Sequence, residues 1–329
     1  MDIKEIGEFG LIDKIDKIVY RKDKKLVASI GDDCAAFKIG GTKIGLLTTD
    51  SLVEDIHFKL KCTSPYDLGY KSIIASISDI ASMAGVPLYC LVSLILPDYI
   101  TVEFVQSFYR GAKTACNKYG CLIAGGDISG SHTNFSLNVS IYGESQQKLL
   151  RKRSEAKVGD LIFVTGPLGG SAAGLELLLK PETKASVSTY SKLTKKHLRP
   201  EAKVAEGLLA SKNGATAMED ISDGLVGEVA HICEQSKIGA IIYVDKVPVD
   251  ESIKRVDSLK TKAMELALSG GEDYELVFSC PKRKTASLAK AFNKKNLPLF
   301  EVGEITKGNR VKVLHNKEKE IKLKGYEHF

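Results

Sequence analysis

Aspartates recur in this chain at the ends of short apolar runs, each behind a glycine or a hydroxyl residue. Leu26-Val27-Ala28 leads to Ser29-Ile30-Gly31-Asp32-Asp33, Ile44-Gly45-Leu46-Leu47 to Thr48-Thr49-Asp50, and Cys121-Leu122-Ile123-Ala124 to Gly125-Gly126-Asp127. Asp79 lies in the small-residue segment Ile73–Ala84, and Asp220 and Asp223 flank Ile221-Ser222 before Gly224-Leu225. A strand ending this way presents its carboxylate at the edge of a sheet, within reach of a ligand. Several such carboxylates converging would repel one another unless divalent cations lay between them. A hard, all-oxygen donor set without a histidine or cysteine cluster points to magnesium, and magnesium held by carboxylates to a nucleotide phosphate. The pattern implies phosphoryl-transfer chemistry.

The length of 329 residues suits two domains rather than one. At 43% hydrophobic and 27% charged, the composition lets each half bury a core. The formal charge of +6 is diffuse, with basic residues gathered in Lys148–Lys157, Lys192–Arg199, Lys282–Lys295 and Lys307–Lys324. Such runs read as solvated faces that also steer polyanions such as ATP. None is interleaved with aromatics, which argues against nucleic-acid binding. Seven cysteines without a C-x-x-C pair support neither a zinc site nor a disulfide scaffold. Buried free thiols, an N-terminus without an apolar core and no membrane-length apolar run together predict a cytoplasmic protein with no membrane contact.

The spacing predicts a helix over Gly7–Tyr20, then strands Leu26–Ile30 and Lys43–Thr48 separated by a Gly40-Gly41 turn. Ser64-Pro65 reads as a helix start leading into Leu68–Ala84. On that helix Ile73, Ile77, Ile80 and Ala84 form an apolar stripe, while Asp79 shares another face with Ser72, Ala75, Ser76 and Ser82. Strand Leu88–Leu96, helix Val102–Lys118 and strands Cys121–Ala124 and Phe135–Tyr142 follow. The polar stretch Glu144–Lys157 marks a boundary, giving domains 1–145 and 146–329. The second opens with strand Asp160–Thr165 and turn Gly166–Gly170, then a helix from Ser171. Gly239–Val244 and Glu275–Ser279 read as strands, and Asp223–Gln235 and Lys282–Asn293 as helices.

Singly, each acidic motif also reads as a turn or a cap, and Asp223 as the N-cap of its helix. His57 alone reads as a packed histidine. Ser269-Gly270-Gly271-Glu272-Asp273-Tyr274-Glu275-Leu276 reads either as a glycine helix stop or as a site loop. The G-x-x-x-x-G-K-[ST] spacing is absent, so ATP use requires another nucleotide fold.

Taken together, Gly7-Glu8-Phe9, Gly31-Asp32-Asp33-Cys34-Ala35, Thr48 through Phe58, Ser78-Asp79-Ile80-Ala81 and Gly125-Gly126-Asp127 resemble the motifs of the thiamine-monophosphate kinase family. So do Arg153-Ser154, Asp220 through Leu225, Ser269–Leu276 and the tail Gly325-Tyr326-Glu327-His328-Phe329, in the family's order over essentially the whole chain. The acids alone suit the wider aminoimidazole-ribonucleotide-synthetase-like superfamily. The His57 motif, Ser269–Leu276 and the aromatic tail single out this family.

The resemblance implies an N-terminal α/β domain whose mixed sheet pairs across a homodimer into a barrel, and a C-terminal α+β domain. It implies Mg²⁺-dependent transfer of the ATP γ-phosphoryl directly to thiamine monophosphate, with no general base. Asp33, Thr48, Thr49, Asp50, Asp79, Asp127, Asp220 and Asp223 would hold several Mg²⁺ ions. Tyr109, Gly126, Asp127, Arg153 and Ser222 would contact ATP, and His57, Glu272 and Tyr326 thiamine phosphate. Two positions depart from the family pattern: Ile128 where threonine commonly follows Gly-Gly-Asp, and Glu155 where glycine commonly follows Arg-Ser. The alternatives are another ATP-dependent synthetase of the superfamily, or a nucleotide-binding member without turnover.

Overall fold

A computed structural model describes residues 2–315 and 319–321. The first half builds one six-stranded sheet from β1 (Leu26–Ala28), β2 (Ala35–Gly40), β3 (Lys43–Val53), β4 (Val86–Pro97), β5 (Leu122–Ser131) and β6 (Ser136–Gln146). Their spatial order is β1-β2-β3-β6-β4-β5. The β4–β5 pair is parallel, as the intervening helix requires, and the others are antiparallel.

Three helices accompany this sheet: α1 (Ile3–Val19), α2 (Pro65–Ser82) and α3 (Val102–Tyr119). Helix α2 starts as the sequence indicates. Ser64 accepts from the Asp67 N–H, and Pro65 occupies the first turn, where its missing donor costs nothing. Its stripe of Ile73, Ile77 and Ile80 is fully buried against Leu46, Val92, Val139 and Ile141 of the sheet. The rest of its surface is buried too, with Ser72, Ser76, Ser78 and Ser82 inaccessible to solvent. Part of it meets the C-terminal half, through α6 (Val204–Lys212) and β8 (Met218–Asp220).

The second sheet adds β7 (Asp160–Val164), β9 (Gly239–Tyr243), β10 (Leu276–Pro281), β11 (Phe300–Thr306), β12 (Val311–His315) and β13 (Lys319–Ile321), in the order β13-β12-β9-β11-β7-β10-β8. Around it lie α4 (Gly170–Leu179), α5 (Val187–Leu198), α7 (Leu225–Ser236), α8 (Ala263–Ser269) and α9 (Thr285–Lys294). Ile221, Leu225, Val229, Ile242 and Val277 form one buried cluster, and Phe163, Phe278, Leu288 and Phe292 another.

Four local expectations need correction. Strand β2 is an additional strand, so the Gly40-Gly41 turn closes a β2–β3 hairpin rather than separating the two expected strands. Strand β5 does not stop at Ala124 but runs through Gly125-Gly126-Asp127 to Ser131, because Gly126 can pack where others cannot: a Cβ there would lie 1.8 Å from the Val92 carbonyl oxygen. The expected homodimer is not needed to pair the apolar strands Leu88–Leu96 and Phe135–Tyr142, because β4 and β6 find partners on both edges within this chain. Finally, the helix expected over Gly7–Tyr20 begins earlier, at Ile3, and Gly7 breaks it with φ 65°.

Candidate active site

The two sheets and α2 bring four of the expected aspartates into one buried region. Asp50 lies within β3, which runs on past the expected end at Thr48 to Val53, Asp79 sits on α2, Asp220 ends β8 and Asp33 follows β1. Each meets a hydroxyl. Ser76 Oγ donates to Asp50 at 2.5 Å and Ser78 Oγ to Asp220 at 2.7 Å, while Thr48 donates to Asp79 and Ser82 to Asp33. Three of these four donors lie on α2: Ser76 and Ser82 on the small-residue face that the sequence marked, and Ser78 outside it. One neutral hydroxyl satisfies only a fraction of a carboxylate's acceptor sites.

The electrostatics record this shortfall. Burial, then Asp50, Asp220 and Asp33, push the Asp79 carboxyl well above the usual carboxylate range. Burial and then Asp33 and Glu228 do the same to Asp220, and burial raises Asp50. Asp32 is raised to about 7 by burial and by Asp33, and Asp223 to about 7 by burial and by Glu228. Four carboxylates crowded from separate segments, of which only Asp33 has a cationic partner in Arg153, fit a hard divalent cation: the donors are all oxygen and the charge is in excess.

Arg153 is the cation at the edge of this cluster. Its Nη2 lies 2.5 Å from Asp33 Oδ1 and 2.7 Å from Glu219 Oε1, with its side chain mostly buried. Glu155 does not disturb it, because that carboxylate pairs with Lys152 at 3.0 Å. Behind Arg153 is a group that the sequence reading missed. His231 Nδ1 lies 2.9 Å from both Glu219 Oε1 and Glu228 Oε2, all three ligand atoms within 4.8 Å of one another. A ring N–H shared between two carboxylates, with an arginine alongside, is a hydrogen-bonded charge cluster rather than a cation site. Glu228 reaches back to accept from the Ser222 N–H at 3.2 Å and the Asp223 N–H at 2.7 Å. Burial opposes its charge, but His231, the Glu219 side chain and the Asp223 N–H hold the Glu228 carboxyl down at about 2. Asp223 therefore does not cap α7: Glu228 satisfies the turn's donors, and Gly224 occupies the cap position. A Glu at the second turn after an acidic motif was the only sequence signal available.

The Ser269–Leu276 segment does act as a helix stop. It stops α8 at Gly270, then carries Glu272 and Tyr274 at φ 64° and 51° into β10. Lys71 of α2 binds Glu272 at 2.6 Å, and burial notwithstanding, Lys71 and His197 draw its carboxyl down. His57 also acts on Glu272. Its Nδ1 accepts from the Val53 N–H at 3.0 Å, so the ring proton resides on Nε2. Asp273 accepts from the Gly169 and Ser171 N–H groups at 2.6 and 3.0 Å, fixing the start of α4.

Not every expected residue joins the cluster. Thr49 faces the other side of β3, bonded to Asn138 at 3.1 Å and Ser140 at 3.0 Å. Asp127 is exposed on edge strand β5, in register with Ser93, with β4 and β6 between it and β3. Half-buried Tyr109 lines a separate hollow of about 410 Å³ with Val105, Ile100 and the exposed Ile128. Tyr326 lies outside the described residues.

Comparison with known proteins follows the same outline. Residues 31–145 match the family AIR synthase related protein, N-terminal domain, and residues 157–316 match AIR synthase related protein, C-terminal domain. A curated thiamine-monophosphate kinase of Buchnera aphidicola subsp. Schizaphis graminum is 38% identical, covering 99% of both chains. That of Aquifex aeolicus is 37% identical over 100% of both, and that of Bacillus subtilis 34% identical over 98% of this chain and 100% of its own. A solved structure described as AaThiL complexed with AMPPCP and TMP superposes with a TM-score of 0.86 at 37% identity, covering 100% of this chain and 99% of that one.

Proposed function

The chain belongs to the thiamine-monophosphate kinase family of AIR synthase related proteins, and from that premise we propose how its site is divided between metal, nucleotide and acceptor. The chain is an ATP-dependent phosphotransferase that moves the γ-phosphoryl of ATP to the phosphate of thiamine monophosphate, releasing thiamine diphosphate and ADP. The observation that carries the site assignment is the convergence of Asp33, Asp50, Asp79 and Asp220 on single hydroxyl donors.

Those four, with Thr48 and Asp223, would hold Mg²⁺. Thr49 and Asp127 would add ligands only from the exposed side of the sheet. Bound Mg²⁺ supplies neutralisation of the two phosphates, whose mutual repulsion is most of the barrier. The remaining work falls to the protein. Arg153 and the Ser222 turn, braced by Glu228, would bind the ATP phosphates, and Gly126 and Tyr109 would flank the nucleotide. His57 would donate from Nε2 to the acceptor phosphate, and Glu272 would face the cationic thiazolium ring. Tyr326 would flank the same ring, adding about 0.5–2 kcal/mol of cation–π attraction. No general base is needed, since the acceptor oxygen is already ionised near neutral pH. Residues 1–145 form the metal-binding and dimerising unit in this reading, and 146–329 complete both substrate sites.

A homodimer through the first sheet accounts for the apolar residues on its open face, where Leu47, Tyr89 and Leu91 are each about half exposed and Ile95 is 40% exposed. Edge pairing of β4 and β6, by contrast, is complete within the chain. Among the described residues no helix is long and apolar enough to cross a membrane, and the seven free thiols, six of them buried, support a reducing, cytoplasmic setting.

Steady-state ADP release with Mg²⁺ tests the reading. It should depend on thiamine monophosphate and yield thiamine diphosphate in equal amount. ATP consumption indifferent to thiamine monophosphate would refute it.

A further inference from the structure

The backbone of Glu272, tied by its N–H to the Ser222 carbonyl at 2.7 Å, is held in a conformation that its side chain does not favour. At φ 64° it occupies the left-handed region, which disfavours a side chain of this kind, and its neighbour Tyr274 does the same at 51°. Gly271 closes the turn so tightly that a Cβ there would lie 2.4 Å from the Ser222 carbonyl oxygen. The side chain is anchored from the other half of the molecule. Lys71 Nζ, only 3% exposed, lies 2.6 Å from Glu272 Oε1. Lys71 is itself oriented by His197, whose Nε2 stands 3.3 Å from Nζ. An ammonium has only donors, so His197 Nε2 accepts and Nδ1 carries the proton. That Nδ1 lies 3.1 Å from Ser171 Oγ and 3.4 Å from Glu272 Oε2. Burial and Lys71 hold His197 down at about 3, in keeping with a neutral ring.

Resting on the reading of Glu272 as a contact of the thiazolium ring, we propose that Lys71, backed by His197, is the positioning residue that sets the place and net charge of Glu272 for a cationic acceptor. Lys71 reaches no reacting atom. It keeps the strained loop in one conformation, and it compensates part of the carboxylate so that a monovalent organic cation can share it and leave again. The charged and titratable groups around Glu272 are Lys71, His197, His57, Asp223 and Tyr274.

Lys71→Met tests this in the full-length protein. KM for thiamine monophosphate should rise tenfold or more, with KM for ATP within about twofold. Hydrogen exchange gives a readout independent of turnover. The Glu272 N–H, bonded to the Ser222 carbonyl at 2.7 Å, should lose protection in Lys71→Met and keep it in Lys71→Arg. Should Lys71→Met not fold, Lys71→Arg decides, with a two- to fivefold rise in KM for thiamine monophosphate alone. An unchanged KM for thiamine monophosphate, or KM values for both substrates rising together, overturns the proposal. If the wild type does not turn over thiamine monophosphate, the functional reading fails, and the exchange measurement still decides whether Lys71 holds Glu272.

Discussion

Ser76 Oγ, on α2, donates a 2.5 Å hydrogen bond to Asp50 Oδ2, on β3, and so ties the central helix to the strand that carries a candidate metal ligand. One hydroxyl compensates little of a buried charge, and burial raises the Asp50 carboxyl. Asp50→Asn keeps the volume and the Ser76 contact but removes the charge. We expect kcat at saturating Mg²⁺ to fall at least a hundredfold, the scale of losing about 3 kcal/mol of transition-state stabilisation. The metal-free protein should melt at a higher temperature, since one like charge is gone. Near-normal kcat would remove Asp50 from the metal set.

Arg153 shows the opposite balance. It is the cation between Asp33 and Glu219, and replacing it by Met leaves both carboxylates without it. Breaking a buried pair from one side costs about 3–5 kcal/mol. Urea unfolding of Arg153→Met should show a loss on that scale, and KM for ATP should rise more than KM for thiamine monophosphate. Equal changes in the two KM values would argue that Arg153 is structural only.

Burial holds the Asp273 carboxyl at about 7, against the pull of the Ser171 and Gly169 N–H groups. The unfolded carboxyl ionises near 3.9. Between about pH 4 and 7 the folded state therefore binds the extra proton, and stability falls as pH rises through that window. Asp273→Asn lacks this contribution. Melting curves from pH 4 to 8 should show the variant gaining on the wild type as pH rises, with no further gain above about 7. Parallel profiles would show that Asp273 does not carry the shift.

Leu91, half exposed on the open face of the first sheet, provides a test of assembly. Leu91→Glu should convert a dimer into a monomer at micromolar concentration by light scattering. A wild type already monomeric under those conditions would dispose of the barrel.

Removing Gly325–Phe329 should raise KM for thiamine monophosphate five- to thirtyfold and leave KM for ATP unchanged. A cation–π contact made equally in ground and transition states is worth about 1–2 kcal/mol, which converts to that range. Truncation without a selective KM change would take Tyr326 out of the site.

Much of this arrangement could be read from the residues because it is local. Ser64-Pro65 announces α2, and the spacing of Ile73, Ile77 and Ile80 against Ser72, Ser76 and Ser82 gives both of its faces. The acids Asp33, Asp50, Asp79 and Asp220 stand out by their glycine, hydroxyl or small-residue neighbours. What escaped is set by pairing over distance. That β5 continues through Gly126 depends on the Val92 carbonyl opposite it. Thr49 and Asp127 fall away from the buried aspartates because strand register alternates faces. Lys71, His197, Glu219 and His231 look like ordinary surface residues in a linear sequence; contact between the two halves makes Lys71 and His197 buried partners, and packing of β8 against α7 does the same for Glu219 and His231.

Helix α2 lacks the one thing most helices have, a solvent face: 14 of its 18 residues are buried. Its consecutive turns supply Lys71 to Glu272, Ser76 to Asp50, Ser78 to Asp220 and Ser82 to Asp33. A helix advances about 1.5 Å and 100° per residue, so inserting or deleting one residue would misalign all four attachments at once. Drift that most helices absorb on their outward side has no outlet here. The helix behaves as a keyway cut for two locks, and a change acceptable to one sheet must also be acceptable to the other. Its spelling is then constrained by the joint between the halves as much as by the chemistry of Asp79.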